Sequence, residues 1–286
     1  MAARSSPTVR RRRLGIELRR LREAAGLSLE DAARRLERTG ATVSRMETGR
    51  ISVRARDVNA LLDLYGVTDR QTRDGLLTLV RESRQKGWWH TYGDVLPATL
   101  DMLVGLETAA ASILTYEINL VPGLLQTADY ARALFRAGKR FDSPEKVERQ
   151  VELRLNRQAI LTGEEPPHLW AVVDEAAVRR QVGGPEVMRQ QLERLVEASA
   201  QPNITIQIMA FAVGAHMGMS AAFNIFRFPE ESGDPSVGYS NNQTGTLYIE
   251  KAEEVRRYQL IFDHLRAAAL SPDDSVALLA RATKEH

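Results

Sequence analysis

The segment running from Gly26 to Gly49, GLSLEDAARRLERTGATVSRMETG, constrains this chain more than any other. Ser28 is a good N-cap. Leu29, Ala32, Ala33 and Leu36 then recur at the i, i+3, i+4, i+7 spacing of one apolar helical face, which predicts a helix from about Ser28 to Glu37. Thr39 is the natural N-cap of the next helix. There Val43 and Met46 face inward, Gly40, Ala41, Thr42, Ser44 and Arg45 lie on the other faces, and Gly49 supplies the stop. Ala33 is small enough on the inner face to let the second helix approach closely. Two short helices joined by so tight a turn make a helix-turn-helix, with the second helix presented outward.

Upstream, Leu14, Leu18, Leu21 and Ala25 form an apolar stripe that predicts a helix from about Arg10 to Ala25, ended by Gly26. Downstream, Val58, Leu61, Leu62 and Tyr65 repeat the period and Gly66 stops it. Four helices in about 60 residues make a small bundle, to which residues 68–87 add a charged helical connector bearing Leu76, Leu77 and Val80.

The formal net charge is only +2, but its distribution is uneven. Residues 1–60 carry 15 arginines against 7 acidic residues, a balance of +8, and the remainder carries −6. That segregation is the footprint expected of phosphate contacts. Arg10 to Arg13, a run just before the first helix, is the kind of N-terminal arm that follows a nucleic-acid groove; the plainer reading is a solvated helix start.

The chain has no cysteine, so neither a disulfide framework nor a zinc knuckle nor a thiol nucleophile is available. No apolar run approaches the roughly 20 residues of a membrane span, and the arginine-rich start lacks a signal-peptide core; a cytoplasmic, nucleoid-associated protein is expected. The sequence holds no HExxH, no glycine-rich phosphate loop and no GxSxG elbow, and its five histidines are scattered. No enzyme activity, cofactor or metal is therefore expected.

Residues 88–286 read as a second module. Helical patterns run to about Thr162, including residues 99–115 and 144–162, the latter with Val151, Leu155 and Leu161 inward. Beyond Pro166 and Pro167 the period switches towards two: LWAVVDEAAV reads as a strand opening into a turn, and ITIQIMAF, AAFNIFRFP, SVGYS and TLYIE read as four short strands. PEVMRQQLERLVEAS, Glu253–Ala269 and Asp273–Lys284 read as helices. The expected fold is mainly α, in class α+β, with a helical bundle over residues 1–67 followed by a domain with a small mixed or antiparallel sheet.

LSLEDAARRLE followed by TVSRMETGR resembles the Xre type of bacterial regulator, related to the phage repressors. That resemblance implies major-groove binding by the second helix, with Gly40, Ala41, Thr42 and Arg45 at base edges and Thr39, Ser44, Arg50 and Arg54 near phosphates. It also implies that Arg22 and Glu47 form a structural pair tying the first helix to the end of the recognition helix. The chain departs from the pattern at Leu29 and Gly40, where the family often has Gln, and at Glu37 or Arg38, where it usually has a turn glycine. Base readout then falls heavily on Arg45, whose fork matches guanine.

Past the bundle, GWW at 87–89, YE at 116–117, VPGLLQT, WAVVDEAAVRR, GGPEVMRQQLERL, GAH at 214–216, YIE and AALSPDDS resemble a domain of unknown function fused behind Xre-type domains in high-GC Gram-positive bacteria. Such regulators have been described as antitoxin-like, which implies a small co-encoded protein partner. The expected partners are double-stranded DNA, a second copy in a homodimer, possible small-molecule effectors and that small protein. Trp88, Trp89, Tyr116, Glu117, Gln126, Asp174, Glu175, His216 and Glu250 fall in or beside these motifs and are the candidate lining of a ligand pocket, although buried aromatic residues are more often plain core.

Overall fold

The computed structural model describes residues 6–84, 87–138, 142–242 and 245–286. They divide into two compact units, Met1–Thr91 with Leu100–Ala109, and Tyr92–Thr99 with Ala110–His286.

In the first unit, Ser6 caps α1 (Pro7–Ala24) by accepting from the Val9 N–H, and Pro7 sits at the first turn, where its missing N–H costs nothing. α2 (Leu29–Leu36), α3 (Gly40–Glu47), α4 (Ala55–Leu64) and α5 (Arg70–Ser83) follow. Leu14 and Leu18 of α1, Ala32 and Ala33 of α2, Val43 and Met46 of α3 and Val58, Leu61 and Leu62 of α4 share one core. Each large apolar side chain buried there contributes about 1.5–3 kcal/mol. Leu76 and Val80 of α5 belong to the same core, so the segment expected as a connector packs as an integral helix of this unit. Part of α6 (Ala98–Ala109) joins it too: a Cβ on Gly105 would collide with Thr8 of α1.

The second unit is built on a six-stranded mixed sheet in the order β3-β2-β1-β4-β5-β6. β1 (Ser112–Glu117), β2 (His168–Asp174) and β3 (Ile204–Met209) run parallel, whereas β4 (Phe223–Arg227), β5 (Val237–Asn242) and β6 (Gly245–Ile249) are antiparallel to their neighbours. The crossover from β1 to β2 carries α7 (Ala128–Gly138) and α8 (Pro144–Gln158); that from β2 to β3 carries α9 (Glu175–Arg179) and α10 (Pro185–Ser199). α11 (Ala252–Ala268) and α12 (Pro272–Glu285) complete the unit. Leu114 and Tyr116 of β1, Val172 of β2, Met209 of β3 and Phe223 and Ile225 of β4 pack with Phe262 and Leu265 of α11.

The fold class is α+β, as the residue pattern predicts, with two corrections. Residues 112–117 are a strand rather than the end of a helix. β1 is central and buried through its middle on both faces, so it lacks the alternation that marks a half-exposed strand. In α8 the inward leucine is Leu153, and Leu155 is exposed.

Candidate nucleic-acid interface

The turn that sets the angle between α2 and α3 is built by local hydrogen bonds. Ser28 and Asp31 cap α2 reciprocally, the Asp31 N–H donating to Ser28 Oγ at 3.1 Å and the Ser28 N–H to Asp31 Oδ2 at 2.8 Å. Glu37 ends the helix in the left-handed region, φ 55°, with its N–H shared between the carbonyls of Ala33 and Arg34. Among the described residues it is the one non-glycine with positive φ. It stands where a turn glycine is usual, and its side chain is exposed.

Thr39 then caps α3, its Oγ1 accepting from the Thr42 N–H at 3.2 Å. Val43, Met46 and Glu47 are buried, Ala41 and Arg45 are exposed, and Gly40, Thr42 and Ser44 are partly exposed. Arg45 leans back on Thr42 Oγ1 at 3.4 Å. The exposed face of α3 is thus short, polar and carries one guanidinium. Arg50 and Arg54, on the segment leading to α4, are exposed as well.

Behind that face the backbone is clamped. Arg22 grips Glu47 with two parallel hydrogen bonds, Nε to Oε1 at 2.7 Å and the terminal nitrogen to Oε2 at 2.9 Å, and its remaining arm donates to the Leu27 carbonyl at 2.8 Å. The bond to Glu47 holds the Arg22 guanidinium above even its usual high pKa, against the opposing effect of burial. Burial, and then the charge of Glu47, pushes the neighbouring Tyr65 hydroxyl upward.

Two contacts with α1 escaped the sequence reading, because they depend on how α1 packs against the end of α3 and not on local spacing. A Cβ on Gly15 would strike the Glu47 carbonyl, so α1 crosses α3 at backbone distance. Gly49, at φ 65°, lies against Arg12, and its carbonyl accepts from Arg11 Nε at 2.6 Å.

The expected N-terminal arm is overturned: Arg10 to Arg13 lie within α1. Arg10 pairs with Glu82 at 3.2 Å, Arg11 approaches Asp101 at 3.6 Å and Arg12 is buried, leaving Arg13 exposed. Pro7 and the Ser6 cap begin the helix three residues ahead of the arginine run.

The expected pocket residues are divided. Trp88 and Trp89 belong to the first unit, where the buried Trp89 donates its indole N–H to Asp101 at 2.5 Å. Glu117 and Gln126 belong to the second. Gln126 is buried as a loop tie, donating to the Val121 carbonyl and accepting from Arg154, both at 2.7 Å. Burial raises Glu117 to about 7, opposed by Arg154. Glu250 follows β6 at the sheet edge, three strands from β1 and so about 14 Å away. Tyr116, Asp174 and His216 do come together, with His216 Nε2 at 3.8 Å from Asp174 Oδ2 and its ring edge-on to Tyr116 at 6.0 Å. Glu175, beside them, accepts from Arg179 at 3.1 Å and from the Phe211 N–H at 2.9 Å. Among the described residues no cluster of three acidic or histidine side chains has the geometry to hold a metal ion. None of their helices is long and apolar enough to cross a membrane.

The arrangement over residues 13–76 matches the family model of a helix-turn-helix domain, which places the first unit in the class of DNA-binding regulators. Residues 100–281, more than half of the chain, match the model described as Domain of unknown function (DUF5753), and the chain belongs to that family. No curated protein and no solved structure matches it.

Proposed function

We propose that this protein is a sequence-specific transcription regulator of the Xre type that reads the major groove with α3 and acts as a homodimer in the cytoplasm. The observation that carries this reading is the pairing of an exposed, polar α3 face bearing Arg45 with the rigid Arg22–Glu47 clamp behind it. Gly40, Ala41, Thr42 and Arg45 meet base edges; Thr39, Ser44, Arg50 and Arg54 meet phosphates. The +8 balance of residues 1–60 supplies the non-specific attraction.

Two bundles one helical turn apart are needed for a site of useful length, which favours a dimer. The outer edge of β6 supports an association surface in the second unit: the strand ends the sheet, and Leu247 on it is 56 % exposed. The same surface favours a second reading, an antitoxin-like protein that binds a small co-encoded partner there and autoregulates its own operon. A short co-transcribed reading frame whose product binds the purified protein distinguishes the two.

The test is selection of bound fragments from the source genome at physiological salt, with sedimentation of the protein alone and on DNA. Enrichment of an inverted repeat and a dimer on it support the reading; no enrichment, or a monomer throughout, overturns it.

A further inference from the structure

β1 and β2 end side by side in the parallel half of the sheet, and in such sheets the crevice beyond the strand carboxyl ends is where ligands bind. Register places Tyr116 opposite Val172 and Asp174 two residues further on, on the same face, which α11 covers. The segment joining β3 to β4, residues 210–222, reaches this corner: His216 stands 3.8 Å from Asp174, and a Cβ on Gly218 would collide with the Tyr116 ring.

Packing alone leaves this corner unsatisfied. Tyr116 is fully buried, yet its hydroxyl has no hydrogen-bond partner among the described residues, a state that costs about 1–3 kcal/mol and that phenylalanine would avoid. Asp174 uses Oδ1 to accept from the Ala176 N–H at 2.8 Å, while Oδ2 faces His216 beyond hydrogen-bond range. His216 Nδ1 accepts from the Gly218 N–H at 3.2 Å, and its other ring nitrogen, Nε2, is the one turned toward Asp174. One carboxylate oxygen and one phenolic oxygen are therefore left without a hydrogen-bond donor in range among the described residues, beside an aromatic ring.

We propose that this corner binds a small amphipathic amine. The ammonium donates to Asp174 Oδ2 and Tyr116 Oη and lies beside the Tyr116 ring, a combination that selects cations over neutral or anionic groups. The apolar body of the ligand lies against the β3–β4 segment, where Phe211, Met217 and Met219 are each more than half exposed. Entry requires that segment to lift, and the glycines at 214 and 218 give it two points without a side chain to drag. The inference concerns the second unit alone and stands whether or not α3 reads DNA.

The test is calorimetric titration of the full-length protein, without DNA, with phenethylamine, 2-phenylethanol and phenylacetate as matched cationic, neutral and anionic probes. The amine binds at least about tenfold more tightly than the other two, and Tyr116→Phe and Asp174→Asn each weaken it about tenfold or more. Asparagine can still cap α9, and Tyr116→Phe removes only an unpaired hydroxyl, so both variants melt at or above the wild-type temperature. Equal binding of the three probes, amine binding unchanged in folded Asp174→Asn, or no binding at about 10 mM phenethylamine overturns the proposal.

Discussion

Arg22 of α1 and Glu47 of α3, 25 positions apart in sequence, form a bidentate ion pair buried behind the helix proposed to read DNA. The pair fixes the pitch of α3 against α1 at the point where Gly15 lets the two backbones touch. Its value lies in geometry more than in net stability, because two desolvated charges return little beyond their burial cost.

Removing one partner is a different matter. Glu47→Ala leaves the buried guanidinium only the Leu27 carbonyl and, at 3.6 Å, the exposed Glu23 as partners and lowers stability by about 3 kcal/mol in urea unfolding, whereas replacing both partners together, Arg22→Met with Glu47→Leu, recovers most of that loss. A cost below about 1 kcal/mol for Glu47→Ala would show that the pair clamps nothing.

Glu37 holds its left-handed backbone with no compensating side-chain contact among the described residues. Glu37→Gly raises stability by about 0.5–1 kcal/mol, less than the full steric relief because glycine also loosens the unfolded chain. A fall in the melting temperature would mean that the Glu37 side chain supports the turn.

Arg45 and Arg50 separate readout from attraction. Arg45→Ala relaxes base preference at one position per half-site and costs about 1–3 kcal/mol on the best sequence. Arg50→Ala removes a phosphate-neutralising charge, so it weakens all sequences alike and makes the slope of log affinity against log salt shallower by about one for each protomer bound. Identical specificity profiles for wild type and Arg45→Ala refute the base-reading role.

Glu117 makes the second unit sensitive to pH in the direction opposite to an ordinary surface carboxylate. Burial raises its folded-state pKa to about 7, so its stabilising contribution is complete below the usual carboxylate range and is lost as pH rises through about 7. Glu117→Gln therefore stabilises the protein at pH 8 by about 1–3 kcal/mol and leaves it nearly unchanged at about pH 4. Thermal melts of both proteins across that range would show parallel curves if Glu117 were instead ionised at no cost.

The helix-turn-helix was legible because its information is local: Ser28 and Thr39 cap their own helices, and Ala33, Val43 and Met46 repeat at helical spacing. The glycine stops were legible for the same reason. β1 was not, because a strand buried through its middle on both faces carries no period and follows α6 with only Ala110 and Ala111 between. The arginine run misled in a related way: the pattern gives charge, but the partners of Arg10 and Arg11, at Glu82 and Asp101, lie 70 or more positions away. Among the candidate pocket residues, shared motif membership did not translate into shared location. Tyr116, Asp174 and His216 meet because sheet order and one returning loop bring them together, information that single-sequence spacing does not hold.

The first unit includes residues 100–109, whereas the family match begins at residue 100, so the lineage boundary and the physical boundary cross. The helix-turn-helix end is consequently not a bead that can be cut free at residue 87 or exchanged between relatives by simple splicing. A graft that omits α6 would leave Thr8 of α1 without the helix that Gly105 lets pack against it. Recombination within this family should therefore carry α6 along with the bundle it completes.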